Sequence, residues 1–179
     1  MIRIAITGPE STGKSWLTER LADWYGTSWV PEYAREYLEQ TGGNYDYKDV
    51  LAIARGQLEA ESIVETKAVE LLFCDTEFVV TKIWCEVKYG KVHPWIREKM
   101  MNHRYDLYLL CNVDLPWQYD PLRENPEMRE QLFDRYLEVL RELDVNFRIV
   151  SGTGEERLSN AVEFVDEIRN QKSVGKVLR

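Results

Sequence analysis

Eight residues near the start of the chain have the types and spacing for phosphate chemistry: Gly8, Pro9, Glu10, Ser11, Thr12, Gly13, Lys14 and Ser15. They fit the pattern GxxxxGK[ST]. Gly8 lets the chain turn sharply off a strand, and Gly13 lets backbone approach a ligand without a Cβ. The loop amides then point inward at the start of a helix, which makes a natural anion site. Lys14 would reach the β- and γ-phosphates of a nucleotide, and the Ser15 hydroxyl would face Mg²⁺. ATP or GTP with Mg²⁺ is the expected ligand. The bland alternative is a tight strand–helix turn that binds nothing.

A second acid-bearing segment is "LLFCD", four apolar residues ending in Asp75. Beside the first strand of a parallel sheet, that carboxylate would face the metal, directly or through water. The bland alternative is a cap on the next helix, and the two roles are compatible. Between the fourth and fifth strands, "PWQYDPLRENPEMREQ" holds Arg123 and Arg129 beside Asp120. A lid there, at about residues 115–130, would close both arginines onto transferring phosphate and exclude water. The other reading is a solvated, charged helix start. On the acceptor side, "PEYAREY" places Glu32 at a strand end with Tyr33, Arg35 and Tyr37 close behind. A carboxylate there could take a hydroxyl proton, and the tyrosines could stack on a flat ring. A core aromatic pair with a surface salt bridge would use the same residues. His93 before Pro94 reads as a helix cap rather than a base. Trp84 and Trp95 read as core or pocket wall.

Two motifs of guanine-specific switches are missing. Asp75 is followed by Thr76-Glu77-Phe78 with no glycine, and "CNVD" lacks the lysine of NKxD.

The elements that must position these residues alternate. Apolar runs at Ile2–Thr7, 27–32, Leu71–Asp75, 106–112 and 146–150 read as strands. Helical spacing follows each: from Leu17 to Trp24, over "YAREYLEQ", from Asp49 to about Glu70, over Val79–Tyr89, after His93-Pro94, for about 18 residues from Asn125-Pro126, and over Glu155–Arg169. In the long helix the apolar positions are Leu51, Ile53, Ala54, Leu58 and Ile63. The expected fold is α/β, a P-loop NTPase three-layer sandwich: a five-stranded parallel sheet with helices on both faces and a small lid. Residues 1–170 form one kinase-type domain and 171–179 a frayed tail.

At 179 residues the chain can bury a full core. A formal charge of −8 argues against nucleic acid or an anionic membrane as partner. It leaves room for a small phosphorylated ligand bound by a local cluster of Lys and Arg. Cys74, Cys85 and Cys111 are widely spaced and lie among apolar residues, as buried free thiols in a reducing cytosol would. An apolar strand from Ile2 stands where a signal peptide would need charge, and no apolar run is long enough for a bilayer, so a cytoplasmic protein is expected. The composition leaves a homo-oligomer open.

Taken in order, "GPESTGKS", "PEYAREY", "CDTEFVVTKIWC", "YGKVHPW" and "DPLR" resemble the ribosylnicotinamide kinase domain of NadR-type NAD-biosynthesis proteins, which is grouped among small AAA-like P-loop proteins. The resemblance covers about residues 1–170. It implies phosphorylation of a small-molecule nucleoside, nicotinamide riboside, at its 5′-hydroxyl by ATP, giving nicotinamide mononucleotide. It implies that Gly8 to Ser15 bind ATP and Mg²⁺, that Asp75 stands at the metal and the acceptor hydroxyl, that Tyr33, Arg35 and Glu77 line the riboside pocket, and that Arg123 is the lid arginine. Met1 stands one residue before the first strand. The adenylyltransferase and DNA-binding segments of the bifunctional proteins are therefore not expected, nor are their activities. A non-catalytic ATP-binding module, or a kinase of another nucleoside, would share every phosphate residue.

Overall fold

The computed structural model describes residues 1–177, with side chains through residue 174. Five parallel strands form one sheet: β1 (Ile2–Thr7), β2 (Trp29–Val30), β3 (Leu71–Asp75), β4 (Leu107–Cys111) and β5 (Phe147–Val150), in the order β2-β3-β1-β4-β5. β1, β3 and β4 are central, and both of their faces are covered, which is why they read as continuous apolar runs. On one face α1 (Lys14–Tyr25) and α7 (Gly154–Val177) pack Leu17, Leu21, Leu158 and Val165 onto Ile4, Ile6 and Phe73. On the other, α4 (Phe78–Tyr89) and α6 (Arg129–Glu142) pack Val79, Ile83, Tyr136 and Leu140 onto Ala5, Leu72 and Leu110. The even and odd residues of β1 thus serve opposite faces. The expected three-layer α/β architecture is the one observed. After β1 the chain first builds β2 and β3 on one side and only then β4 on the other. The crevice at the β1 C-terminus is therefore the place where such sheets bind ligands.

Several boundaries differ from the sequence reading. β2 has only two residues. α3 (Tyr47–Glu65) starts two residues early because Asp46 accepts from the amides of Lys48 and Asp49 while Asp49 accepts from the amide of Asp46, a reciprocal cap. It also ends five residues before the expected Glu70. The remaining helices are α2 (Tyr33–Gln40) and α5 (Pro94–Asn102). The helix expected from Asn125-Pro126 opens as a 3₁₀ turn, Pro126–Met128, before α6 begins. α7 continues to Val177, through most of the stretch expected to fray; residues 178 and 179 lie outside the described residues. Cys74, Cys85 and Cys111 are buried free thiols, as expected.

The buried stripe of α3 is Val50, Ile53, Ala54, Gln57 and Glu61, whereas Ile63 is exposed. The stripe is rotated from the expected one, and two polar residues lie on it. Glu61 accepts from Tyr105 Oη at 2.7 Å and also meets Arg3 and His103. Burial raises its carboxyl, but the His103 hydrogen bond and the Arg3 charge outweigh that and hold it below the ordinary carboxylate range. Its contribution to stability is therefore complete above that range and lost as pH falls through the lowered value. Glu61→Gln is expected to cost about 3 kcal/mol, because it strands Arg3 in a half-buried site. Thermal melts between about pH 3 and pH 7 check this: the unsubstituted chain should lose stability in acid more steeply than the variant. Parallel curves would remove Glu61 from the account.

Candidate active site

The loop from Gly8 to Gly13 joins β1 to α1. Gly8 has φ 132°, a conformation that strains any side chain, and a Cβ there would stand only 3.0 Å from the Cys111 carbonyl oxygen of β4, so glycine is favoured at this turn. Ser11 and Gly13 take left-handed backbone at φ 57° and 76°, which folds the loop into a concave nest. Thr12 Oγ1 and Lys14 Nζ both donate to the Pro9 carbonyl at 2.8 Å. The N-cap of α1 is Gly13, which has no side chain to engage the first helical amides. Those amides and the positive end of the helix dipole are left to an anion.

β3 pairs with β1 so that Asp75 lies opposite Ile6, one residue before the end of β1. Asp75 is 1% exposed, and neither carboxylate oxygen has a hydrogen-bond partner among the described residues. Burial, with the negative charge of Glu32 next, pushes its carboxyl up to about 7; Ser15, Lys14 and Arg35 pull the other way. A buried, unpartnered carboxylate beside the first two residues of α1 fits a site for a divalent cation, which would supply the missing partner. The alternative role of helix cap falls instead to Glu77, whose carboxylate accepts from the Val79 amide at 2.5 Å and from Thr7 Oγ1 at 2.8 Å. Burial pushes the Glu77 carboxyl up to about 7 as well.

The segment after β4 lies directly on the cradle. The Gln118 amide donates to Ser11 Oγ at 2.8 Å, and the Arg123 guanidinium reaches the same oxygen at 3.4 Å. Arg129 donates to the carbonyls of Ser11 (3.1 Å) and Leu115 (2.9 Å). Both arginines lie over the Trp117 ring, 6.0 and 5.7 Å from its centroid. Asp120, expected beside them, pairs with Arg35 at 2.8 Å and so ties the segment to α2. The Glu10 side chain faces this segment, accepting from the amides of Glu124 and Asn125. Glu10 would thus offer only its backbone to phosphate.

From the cradle a cavity of about 550 Å³ runs to a wall that includes Leu38, Tyr45, Val80 and Trp84, with Glu32 and Arg35 on its lining. Two residues expected at the acceptor lie elsewhere. The Tyr33 ring packs on Gly56 of α3, where a Cβ would come within 2.0 Å of it, and Tyr33 is not part of the lining. Glu77 is committed to its cap. Trp84 is cavity wall, whereas Trp95 packs edge-on against Phe78 with centroids 5.8 Å apart. His93 Nδ1 accepts from the Trp95 amide at 3.1 Å and is the helix cap expected of it.

The model of a family described as an AAA domain matches residues 3–157. The chain belongs to this AAA-domain family. Among curated relatives, the trifunctional NAD biosynthesis/regulator protein NadR of Escherichia coli (strain K12) is 31% identical over 94% of this chain. The chain spans 43% of that relative's length. The resemblance carried by "GPESTGKS" and "PEYAREY" thus extends along nearly the whole chain. A crystal structure of NadR protein in complex with NR superposes with a TM-score of 0.82 at 24% identity, over 93% of this chain and 51% of that one. The structure of deoxyadenosine kinase from M. mycoides with bound dATP does so with a TM-score of 0.61 at 18% identity, over 93% of this chain and all of that one. At these identities both likenesses concern the fold.

Two side chains that organise this AAA-domain site were not anticipated. Gln57 accepts from the Tyr33 amide at 2.8 Å and donates to the carbonyls of Pro31 (3.2 Å) and Asp75 (3.3 Å). It thereby holds together the two strand ends that carry Glu32 and Asp75. A signal for it existed, since Gln57 falls three residues after Ala54 on a helical stripe. Arg157 is fully buried. It donates to Thr12 O at 2.8 Å, Asn112 O at 3.2 Å, Gly152 O at 2.8 Å and Asp114 Oδ1 at 2.7 Å, pinning the cradle to the ends of β4 and β5. In sequence it sits in "GEERL", which looks like a solvated helix start. Among the described residues, no helix is long and apolar enough to cross a membrane.

Proposed function

We propose that the chain is an ATP-dependent kinase that phosphorylates the 5′-hydroxyl of nicotinamide riboside, forming nicotinamide mononucleotide. The observation that carries the kinase reading is Asp75, a buried carboxylate with no hydrogen-bond partner among the described residues, close to Lys14 and Ser15, which with Glu32 line the cavity although Asp75 itself does not. A protein that only bound nucleotide would gain nothing from a buried acid whose proton affinity is raised further by the charge of Glu32. The choice of riboside rests on the NadR relationship and on the Tyr45–Trp84 wall, which suits a flat ring.

In this reading the loop amides and Lys14 hold the β- and γ-phosphates. Ser15 and Asp75 would hold Mg²⁺, which when bound neutralises charge on the phosphates. Glu32 accepts the hydrogen bond of the acceptor hydroxyl and takes its proton as the oxygen–phosphorus bond forms and the bond to ADP breaks. Arg123 and Arg129, carried by the 115–130 lid, meet the charge spreading on the transferred group. A panel of nucleosides, nicotinamide riboside included, incubated with the chain, Mg²⁺ and ATP or GTP tests this. The expected result is ATP-dependent formation of nicotinamide mononucleotide ahead of all other products. Faster phosphorylation of another nucleoside would replace the acceptor; no transfer to any would sink the kinase reading.

Arg123 supplies a separate check. As a lid group acting in the transition state, Arg123→Ala should lower kcat by about 10²-fold or more and change the KM for ATP far less. An unchanged kcat would return this stretch to an ordinary charged surface.

A further inference from the structure

Three parts of the site meet at Glu124. Its amide, with that of Asn125, is held by the Glu10 carboxylate of the cradle at 2.9–3.2 Å. Its own carboxylate accepts from Tyr45 Oη and from Lys88 Nζ, each at 2.7 Å. Tyr45 precedes α3, Lys88 lies in the last turn of α4, and Tyr45 Oη also accepts from Trp84 Nε1 at 2.9 Å. The Lys88 ammonium sits 3.8 Å from the centroid of the Tyr45 ring. All six of these residues line the cavity. Burial and the Glu124 carboxylate push the Tyr45 hydroxyl well above the ordinary phenol range, so it remains a donor near neutral pH.

We propose that Glu124 is a positioning residue, a latch that ties closure of the 115–130 segment over the phosphates to occupancy of the acceptor half of the cavity. The proposal rests on the kinase reading and concerns when the lid arginines reach the cradle. A flat acceptor packed on Trp84 and Tyr45 orders Tyr45, which donates to Glu124, and Trp84, which donates to Tyr45. Glu124 follows Arg123 directly, so its placement sets where that guanidinium points. The Glu124–Lys88 pair is partly exposed and adds little stability by itself. Its value is geometric: without the acceptor-side bonds the link to the aromatic wall is gone, and the segment, held at Glu124 and Asn125 by Glu10 alone, opens more often. The consequence is that phosphate passes to the acceptor and not to water.

Glu124→Ala, Tyr45→Phe and the double variant test the latch, each at a solvent-accessible position where the fold is expected to survive substitution. The first measurement needs neither ligand nor turnover: backbone amide exchange at Gln118, Glu124 and Asn125 in the chain alone. Each single change should speed it about fivefold or more, and the double change no more than about twofold further, since both break one link. The second measures ATP consumed against nicotinamide mononucleotide formed. The fraction of consumed ATP delivered to riboside should fall about fivefold in each single variant, with the KM for ATP within about twofold. A merely structural role would lower both rates together and leave that fraction unchanged. Unchanged exchange at the three amides, an unchanged fraction, or fully additive effects would overturn the latch. Failure of the unsubstituted chain to phosphorylate riboside would count against the kinase reading, and the exchange measurement would then decide the latch by itself.

Discussion

Lys14→Ala is expected to lower phosphoryl transfer by about 10³-fold or more while the fold persists. The cradle is built of neutral amides, and the Lys14 ammonium brings a full positive charge to its centre. At the Pro9 carbonyl that ammonium is already turned over the loop, 2.8 Å away. A charge placed in advance needs no reorganisation when phosphate negative charge shifts, and that makes its loss so costly. The fold should tolerate the change. The loop shape depends on Gly8, Ser11 and Gly13, on the Thr12–Pro9 bond and on the Arg157–Thr12 bond, none of which uses Lys14. Turnover at saturating ATP, nucleotide binding by titration and a thermal melt together check the prediction. Near-native turnover in the variant would mean that the loop is not a catalytic phosphate cradle.

The second large effect separates two carboxylates. Asp75→Asn should cut turnover more deeply than Glu32→Gln and should shift the Mg²⁺ midpoint. Asp75 would both hold the metal and orient the acceptor, whereas a lost general base alone typically costs about 10²–10⁴-fold. Glu32→Gln should act on the riboside, in KM or kcat, with ATP and Mg²⁺ binding intact. A stability measurement sharpens the contrast. An unpartnered, buried carboxylate opposes folding, so Asp75→Asn should melt at the same temperature as the unsubstituted chain or higher, even as activity collapses. That combination, lost activity without lost stability, is the signature of a group retained for chemistry. A Mg²⁺ titration of turnover for both variants decides it. The assignment fails if Glu32→Gln moves the metal midpoint and Asp75→Asn does not.

Sequence alone determined the features written in local spacing. The GxxxxGKS run specifies a strand–helix turn with positive-φ positions. "LLFCD" and "LYLLC" specify strands buried on both faces, and their alternation with helices specifies a parallel sheet. The caps at His93-Pro94 and Gly90 were legible for the same reason, since each follows from one residue and its immediate neighbours. The phase of α3 was partly legible and misread. Leu51, Leu58 and Ile63 suggest one stripe, but packing against α2, α4 and β2 selects another, with Gln57 and Glu61 inside it. What only the tertiary structure decided are the long-range side-chain partners. Glu10 meets Glu124 across 114 positions, and Arg157 meets Thr12 across 145. No periodicity connects such pairs, because their separation in the chain reflects loop lengths and crossovers and not a helical or strand repeat. The same holds for Tyr33 and Glu77, which sit next to chemically important positions in sequence. Tyr33 turns to Gly56 and Glu77 to the start of α4 because those contacts satisfy a ring and a carboxylate that would otherwise be poorly placed at a buried strand end.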